Sequence, residues 1–249
     1  MNLHDTKAAA IVIGANGAIG GAVLQRIVQD QSIDTVFAIS RKARPSSETS
    51  DKKIVWLESD SSEASISKIF QHIQRKEHAV TRIVIATGKL HDREQSIFPE
   101  KRIDSLNSQA LRDVFNVNTF IPMLWLSGLS DLLQRGQRTV ICVLSARVGS
   151  IEDNHLGGWY SYRGSKAALT MMLKTLSIEF KKRFPLVKLI AFHPGTTDSQ
   201  LSKPFQASVA PQKLFTPAFV AEQLWEQMNY AQPDGSLSFK DWQHKDIPW

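Results

Sequence analysis

Apolar residues along this chain follow two rhythms. Short unbroken runs rich in β-branched residues occur at Ala9–Ile13, Thr35–Ile39, Ile54–Leu57, Arg82–Ala86, Thr139–Leu144 and Val187–Phe192. Most are apolar at successive positions, which requires burial on both faces, as in a parallel sheet covered by helices on each side. Between them the apolar residues recur at helical spacing. Ile19, Val23, Ile27 and Val28 mark one face, and Ile66, Ile69, Phe70 and Ile73 another. Thr216-Pro217 reads as a cap and first-turn proline before a helix over Phe219–Met228. Leu111 to Leu133 reads as one long helix with Pro122 inside it, where proline cannot donate a hydrogen bond to the carbonyl of Asn118. A short last strand is expected around Ser236–Phe239. Strand–helix alternation of this kind predicts an α/β fold, a doubly wound parallel sheet (Rossmann fold) of about seven strands. With no internal repeat or linker, residues 1–249 are expected to form a single domain.

Composition narrows the classes of function. At 249 residues and 42% apolar, the chain is long and apolar enough to bury a sizeable core, and no run approaches the roughly 18 residues a membrane span needs. The amino terminus lacks a signal pattern, so a cytoplasmic protein without a membrane partner is expected. The single cysteine, Cys142, lies inside TVICVL and reads as a buried structural thiol, which excludes an intramolecular disulfide. The net charge of +6 is dispersed without interleaved aromatics, which argues against a nucleic-acid groove and leaves steering of an anionic cofactor. No metal site is expected.

Candidate chemistry begins where the first strand ends. It runs into GANGAIG, with Gly14, Gly17 and Gly20 set around Asn16, Ala18 and Ile19, and then into a helix. Glycines so placed let backbone N–H groups approach a pyrophosphate at the helix amino terminus. After the second strand, where an NAD site offers an acid to the ribose 2′-hydroxyl, the chain reads ISRKAR with Ser40 and Arg41. A guanidinium beside a hydroxyl suits a 2′-phosphate, so NADP(H) is favoured over NAD(H), the alternative being that Arg41 and Lys42 only decorate a solvated loop. Further along, WYSYRGSK at 159–166 places Tyr162 one helical turn from Lys166, whereas Tyr160 faces Gly164. A neighbouring ammonium is expected to lower the phenol's pKa towards the range useful for proton exchange.

In order and spacing these motifs resemble the short-chain dehydrogenase/reductase family over nearly the whole chain. To the glycine turn they add Asp60 after the third strand, Ala86-Thr87-Gly88 after the fourth, Asn118 in the following helix, Ser145 after the fifth, YRGSK at 162–166 and HPGTTD at 193–198. TGKLHD, SARVGSIEDN, GGWYSYRGSKAAL and IPW further resemble the C-factor-like and sniffer-like branch. The resemblance implies a homodimer or homotetramer with Tyr162 as general acid, Lys166 holding the nicotinamide ribose, and Asn118 carrying a relay water. It also implies that Asp60 and Ser61 meet the adenine, that Ala86, Thr87 and Gly88 line the cofactor, and that Pro194, Gly195 and Thr197 contact the carboxamide.

The chain departs from the family pattern in three places. Ala18 stands for the middle glycine of the turn, and ATGKL replaces NNAG. Where the family commonly has a second, carbonyl-polarising serine, this chain has Ser145-Ala146-Arg147-Val148-Gly149. On a strand Ser145 would face the opposite side, although a loop starting there could rotate it back. Ser145, Ser150 or no serine could then stabilise the oxyanion. Two functions follow. The first is an NADP(H)-dependent oxidoreductase acting on a small carbonyl or alcohol, with its pocket made by loops 89–100, 150–160 and 196–215. The other is an NADP(H)-binding signalling or sensing protein with little turnover.

Overall fold

The computed structural model describes residues 7–42 and 51–249. Seven parallel strands form the main sheet: β1 (Ala8–Ile13), β2 (Thr35–Ser40), β3 (Ile54–Glu58), β4 (Ala79–Ile85), β5 (Thr139–Leu144), β6 (Val187–His193) and β9 (Leu237–Asp241). Their order is β3-β2-β1-β4-β5-β6-β9. The chain builds outward from β1 to β3 and returns to β1's other side at β4, so the order reverses between β1 and β4. Ligands of open α/β sheets bind at such a reversal, beyond the carboxyl ends of the strands. A small two-stranded sheet, β7 (Thr196–Thr197) with β8 (Leu214–Phe215), lies past β6.

Alternation along the strands splits the core into two layers. Ala9, Ile11 and Ile13 of β1 face one way with Ile83 and Ile85 of β4, and are covered by α2 (Glu63–Gln74), α4 (Ile121–Leu129) and α5 (Tyr160–Arg183). Ala10 and Val12 face the other way with Val84, Cys142 and Ile190, under α1 (Ala18–Val28) and α6 (Pro217–Tyr230). Cys142 is buried as expected, and desolvation pushes its thiol well above the usual range. Thr216 caps α6 by accepting from the Phe219 amide, as its sequence predicts.

The expected long helix over 111–133 is not continuous. It comprises α3 (Ser108–Phe115), a π-turn over Asn116–Phe120, and α4. The Ile121 amide reaches back five residues to the Asn116 carbonyl, and Pro122 follows in the first turn of α4. Proline's missing donor is thus accommodated by widening the preceding turn rather than by bending one helix. Such turns recur at functional sites, and this one contains Asn118. Among the described residues, no helix is long and apolar enough to cross a membrane.

Candidate active site

The glycine turn sits at the sheet reversal. Gly14 has a positive φ of 87°, and a side chain there would approach the Ala86 carbonyl to 3.0 Å. At Gly20 a Cβ would fall 2.1 Å from the Gly14 carbonyl, so α1 can begin this close to the strand only without a side chain. Backbone bonds from Gly14 and Ala15 to the Ile39 carbonyl, at 2.9 and 3.1 Å, pin the turn to β2. Gly17, Ala18 and Ile19 lead into α1, and Asn16 Nδ2 reaches the Lys42 carbonyl at 3.4 Å.

The neighbouring loops converge on the same edge. Ser40 donates its hydroxyl to the Lys42 carbonyl at 2.6 Å, which turns the chain at Arg41, and both Arg41 and Lys42 are exposed. Ala43 and Arg44, the end of the ISRKAR stretch, lie outside the described residues. Asp60 is exposed, and the Ser62 amide, 2.9 Å away, helps hold its carboxyl below the usual carboxylate range. Ser61 takes a left-handed φ of 64° and accepts from the Trp125 indole at 3.2 Å.

Asn118 is fully buried, and its amide makes a two-way pair with the peptide of Lys89. Oδ1 accepts from the Lys89 amide at 2.7 Å, and Nδ2 donates to the Lys89 carbonyl at 2.8 Å and to Ser165 Oγ at 3.0 Å. The side chain therefore holds the segment after Gly88. Any water relay at this residue falls to its backbone. Gly195 has a φ of 70°, and a Cβ there would meet the Phe215 ring at 2.6 Å.

Two observations bear on whether a dinucleotide fits this edge. Thr87 Oγ1 and Thr197 Oγ1 are buried without a protein partner, an unusual state for hydroxyls unless a ligand or water completes them. The glycines at 14 and 20 also let the turn close tightly against the strand, since a side chain at either would strike the Ala86 or Gly14 carbonyl. The residues present fit a dinucleotide.

Tyr162 and Lys166 share a face of α5, with Nζ 6.0 Å from the phenol ring centroid. Tyr160 instead is 41% exposed. The electrostatics differ from the expectation that Lys166 lowers the phenol's pKa. Burial pushes Tyr162 up to about 12, and burial lowers Lys166 to about 8, its Nζ donating to the Leu144 carbonyl at 2.9 Å. Loss of solvation outweighs an ammonium that is drawn away to a backbone oxygen.

The serines are placed less favourably. Ser145 Oγ lies 3.1 Å from Thr170 Oγ1, two helical turns past Tyr162, and Thr170 in turn donates to the Lys166 carbonyl at 2.9 Å. Ser150 Oγ bonds the Trp249 carbonyl at 3.3 Å and accepts from the Asp153 amide at 3.1 Å. Both hydroxyls have protein partners other than the phenol.

Several residues at the site were given no role by the sequence. His91, Trp159 and Phe205 come one from each of the three loops expected to border a pocket. Trp159 packs on Tyr162 at 6.2 Å and on Phe205 at 5.2 Å, and Phe205 on His91 at 5.8 Å. Trp159 adopts φ 54°, ψ 44°, after left-handed Gly157 and Gly158. A non-glycine residue there costs about 1–2 kcal/mol. Glu100 is 96% buried by its 4% exposure, and its carboxylate accepts from the Ser161 amide at 3.1 Å and from the Ser161 hydroxyl. Its carbonyl accepts from the Trp159 amide at 2.5 Å. Burying a carboxylate costs several kcal/mol unless it is well bonded. An isolated acid in a loop gives no periodic signal by which sequence could single it out.

A doubly wound sheet with a glycine turn at its reversal defines a dinucleotide-binding α/β protein. The family model for short chain dehydrogenases matches residues 8–210, and the chain belongs to this family of oxidoreductases. Among curated relatives it is 31% identical over 144 residues to a 1-hydroxy-2-glutathionyl-2-methyl-3-butene dehydrogenase of Rhodococcus sp. (strain AD45), covering 58% of this chain and 59% of that protein. It is 28% identical over 135 residues to the C-signal protein of Myxococcus xanthus, covering 54% of this chain and 76% of that one. The fold matches the carbonyl reductase Sniffer of D. melanogaster with a TM-score of 0.82 at 20% identity, over 99% of this chain and 100% of the other. An NADPH-bound carbonyl reductase from chicken fatty liver matches with a TM-score of 0.81 at 20% identity, over 98% and 100%.

Proposed function

We propose that this chain is an NADP(H)-dependent oxidoreductase that reduces the carbonyl of a small apolar molecule, or oxidises the matching alcohol, with Tyr162 exchanging the proton at the substrate oxygen. The observation that carries this reading is Tyr162 itself, half-buried between the Trp159 ring and Lys166, whose Nζ donates to the carbonyl at the carboxyl end of β5. Exposed Arg41 beside Ser40 supports the phosphorylated cofactor, as does the NADPH-bound structural neighbour. When bound, the cofactor supplies hydride to the carbonyl carbon. Tyr162 supplies the proton to the oxygen; its hydroxyl, like any phenol, is protonated at neutral pH. Lys166, lowered to about 8, is poised to pass a proton on near neutrality. Asn118 fixes the segment after Gly88, and Thr87, Thr197, Pro194 and Gly195 would hold the nicotinamide end. Met171 and Ile178, 66% and 57% exposed on α5, support association of copies of the chain.

Ala146 at the usual serine place, with the Ser145 hydroxyl turned to Thr170, favours a second reading, an NADP(H)-binding sensing protein with little turnover. One experiment separates the two. NADPH consumption is followed against a panel of aldehydes, ketones and quinones, with Tyr162→Phe and Tyr160→Phe beside wild type. The first reading expects Tyr162→Phe to lose at least the roughly 10²-fold that a positioned acid supplies, with NADPH affinity kept. Tyr160→Phe should stay active. NADPH binding without turnover of any carbonyl would favour the sensor, and a dead Tyr160→Phe beside a live Tyr162→Phe would reject the assignment.

A further inference from the structure

We propose that Glu100 is a positioning residue for Tyr162, acting through the turn that opens α5; the inference rests on the reading of Tyr162 as the proton donor. The residues flanking Tyr162 in sequence are both tied to loops. Ser161 is held by the Glu100 carboxylate through its amide and its hydroxyl. Arg163 gathers the carbonyls of Gly157, Gly158 and Val148, at 3.2, 3.0 and 3.3 Å. Tyr162 takes its place from these two anchors.

Capping alone does not explain a buried carboxylate. A serine or aspartate at the N-cap satisfies a helix start without burying charge from another loop, yet the N-cap here is Trp159, whose side chain makes no capping bond. Glu100 instead spans the turn. Its backbone carbonyl accepts from Trp159 and its carboxylate from Ser161, so one residue ties the left-handed Trp159 to the first turn of α5. The positive end of the α5 dipole favours the carboxylate there. Strained backbone persists where the surroundings over-determine it, and Glu100 supplies that determination. It thereby sets the position of two rings, Trp159 and Tyr162, that stand 6.2 Å apart at the cleft.

Two variants test this on the full-length protein. Glu100→Ala removes the anchor, and Glu100→Gln keeps an acceptor for the Ser161 amide and a donor for its hydroxyl. The chain has three tyrosines, so ultraviolet titration with Tyr162→Phe as the subtraction isolates one phenol. In wild type that phenol should stay silent up to about pH 11, whereas in Glu100→Ala it should titrate near the ordinary value of about 10 as the turn opens to water. In kinetics Glu100→Ala should lose at least about tenfold in kcat with NADPH affinity within about twofold, and Glu100→Gln should return to within about threefold of wild type. A folded Glu100→Ala that titrates and turns over like wild type, lowering only the melting temperature, overturns the proposal. Should Glu100→Ala not fold, Ser161→Ala removes one of the two carboxylate contacts and should lower kcat by about threefold or more. Wild-type kcat in that variant would equally overturn it. If wild type reduces no carbonyl, the functional reading fails and the titration alone decides the role of Glu100.

Discussion

Acid should destabilise this protein through His193 before its carboxylates protonate. His193 ends β6 immediately before Pro194, and its Nδ1 is sealed from solvent without a partner. Loss of solvation, reinforced by the Arg147 guanidinium, lowers its pKa from 6.5 to about 4, with Asp241 and Asp153 pulling the other way. The ring is therefore neutral in the folded protein at pH values where the unfolded chain binds a proton. Stability is complete above pH 6.5 and falls as the pH falls towards 4. The gap between 6.5 and about 4, at about 1.36 kcal/mol per pH unit, amounts to about 3 kcal/mol. Against a typical total of about 5–15 kcal/mol that is a large share. Urea unfolding at several pH values between 7.5 and 4, for wild type and His193→Asn, measures it. Asp30, Asp60, Asp92 and Asp234 are all held below the usual carboxylate range, so they act mainly below pH 4 and are common to both proteins. The two stability curves should converge by about 3 kcal/mol on acidification. Parallel curves across that window would refute the reasoning.

Two further outcomes are expected. Arg41→Asp should weaken NADPH binding by about tenfold or more while NADH loses little, as fluorescence titration of both cofactors reads; equal losses would remove Arg41 from the 2′-phosphate site. Ser145→Ala should lower kcat by much less than the roughly 10²–10³-fold of a lost oxyanion donor, since its hydroxyl is engaged with Thr170, and a thousandfold loss in steady-state turnover would mean that the serine rotates to the substrate.

Much of the architecture was legible because it is encoded at short range. Continuous apolar runs against helical spacing located all seven strands of the main sheet, including the last at Leu237–Asp241. A helical turn between Tyr162 and Lys166 is likewise a local fact, and so is a glycine turn between a strand and a helix. Other features depended on partners far along the chain. The direction of the Ser145 hydroxyl was set by Thr170, the π-turn at Asn118 absorbed Pro122, and the Asn118 amide found its partner 29 residues away at Lys89. Glu100 lies 61 residues before Ser161. The sequence alone determined strand–helix alternation and which tyrosine shares a face with a lysine, since backbone periodicity fixes both, while the strand order that reverses between β1 and β4 came from the pairing of distant segments. Only the tertiary structure decided the phenol's environment, because desolvation depends on every element packed around a group, and here burial outweighed the neighbouring ammonium.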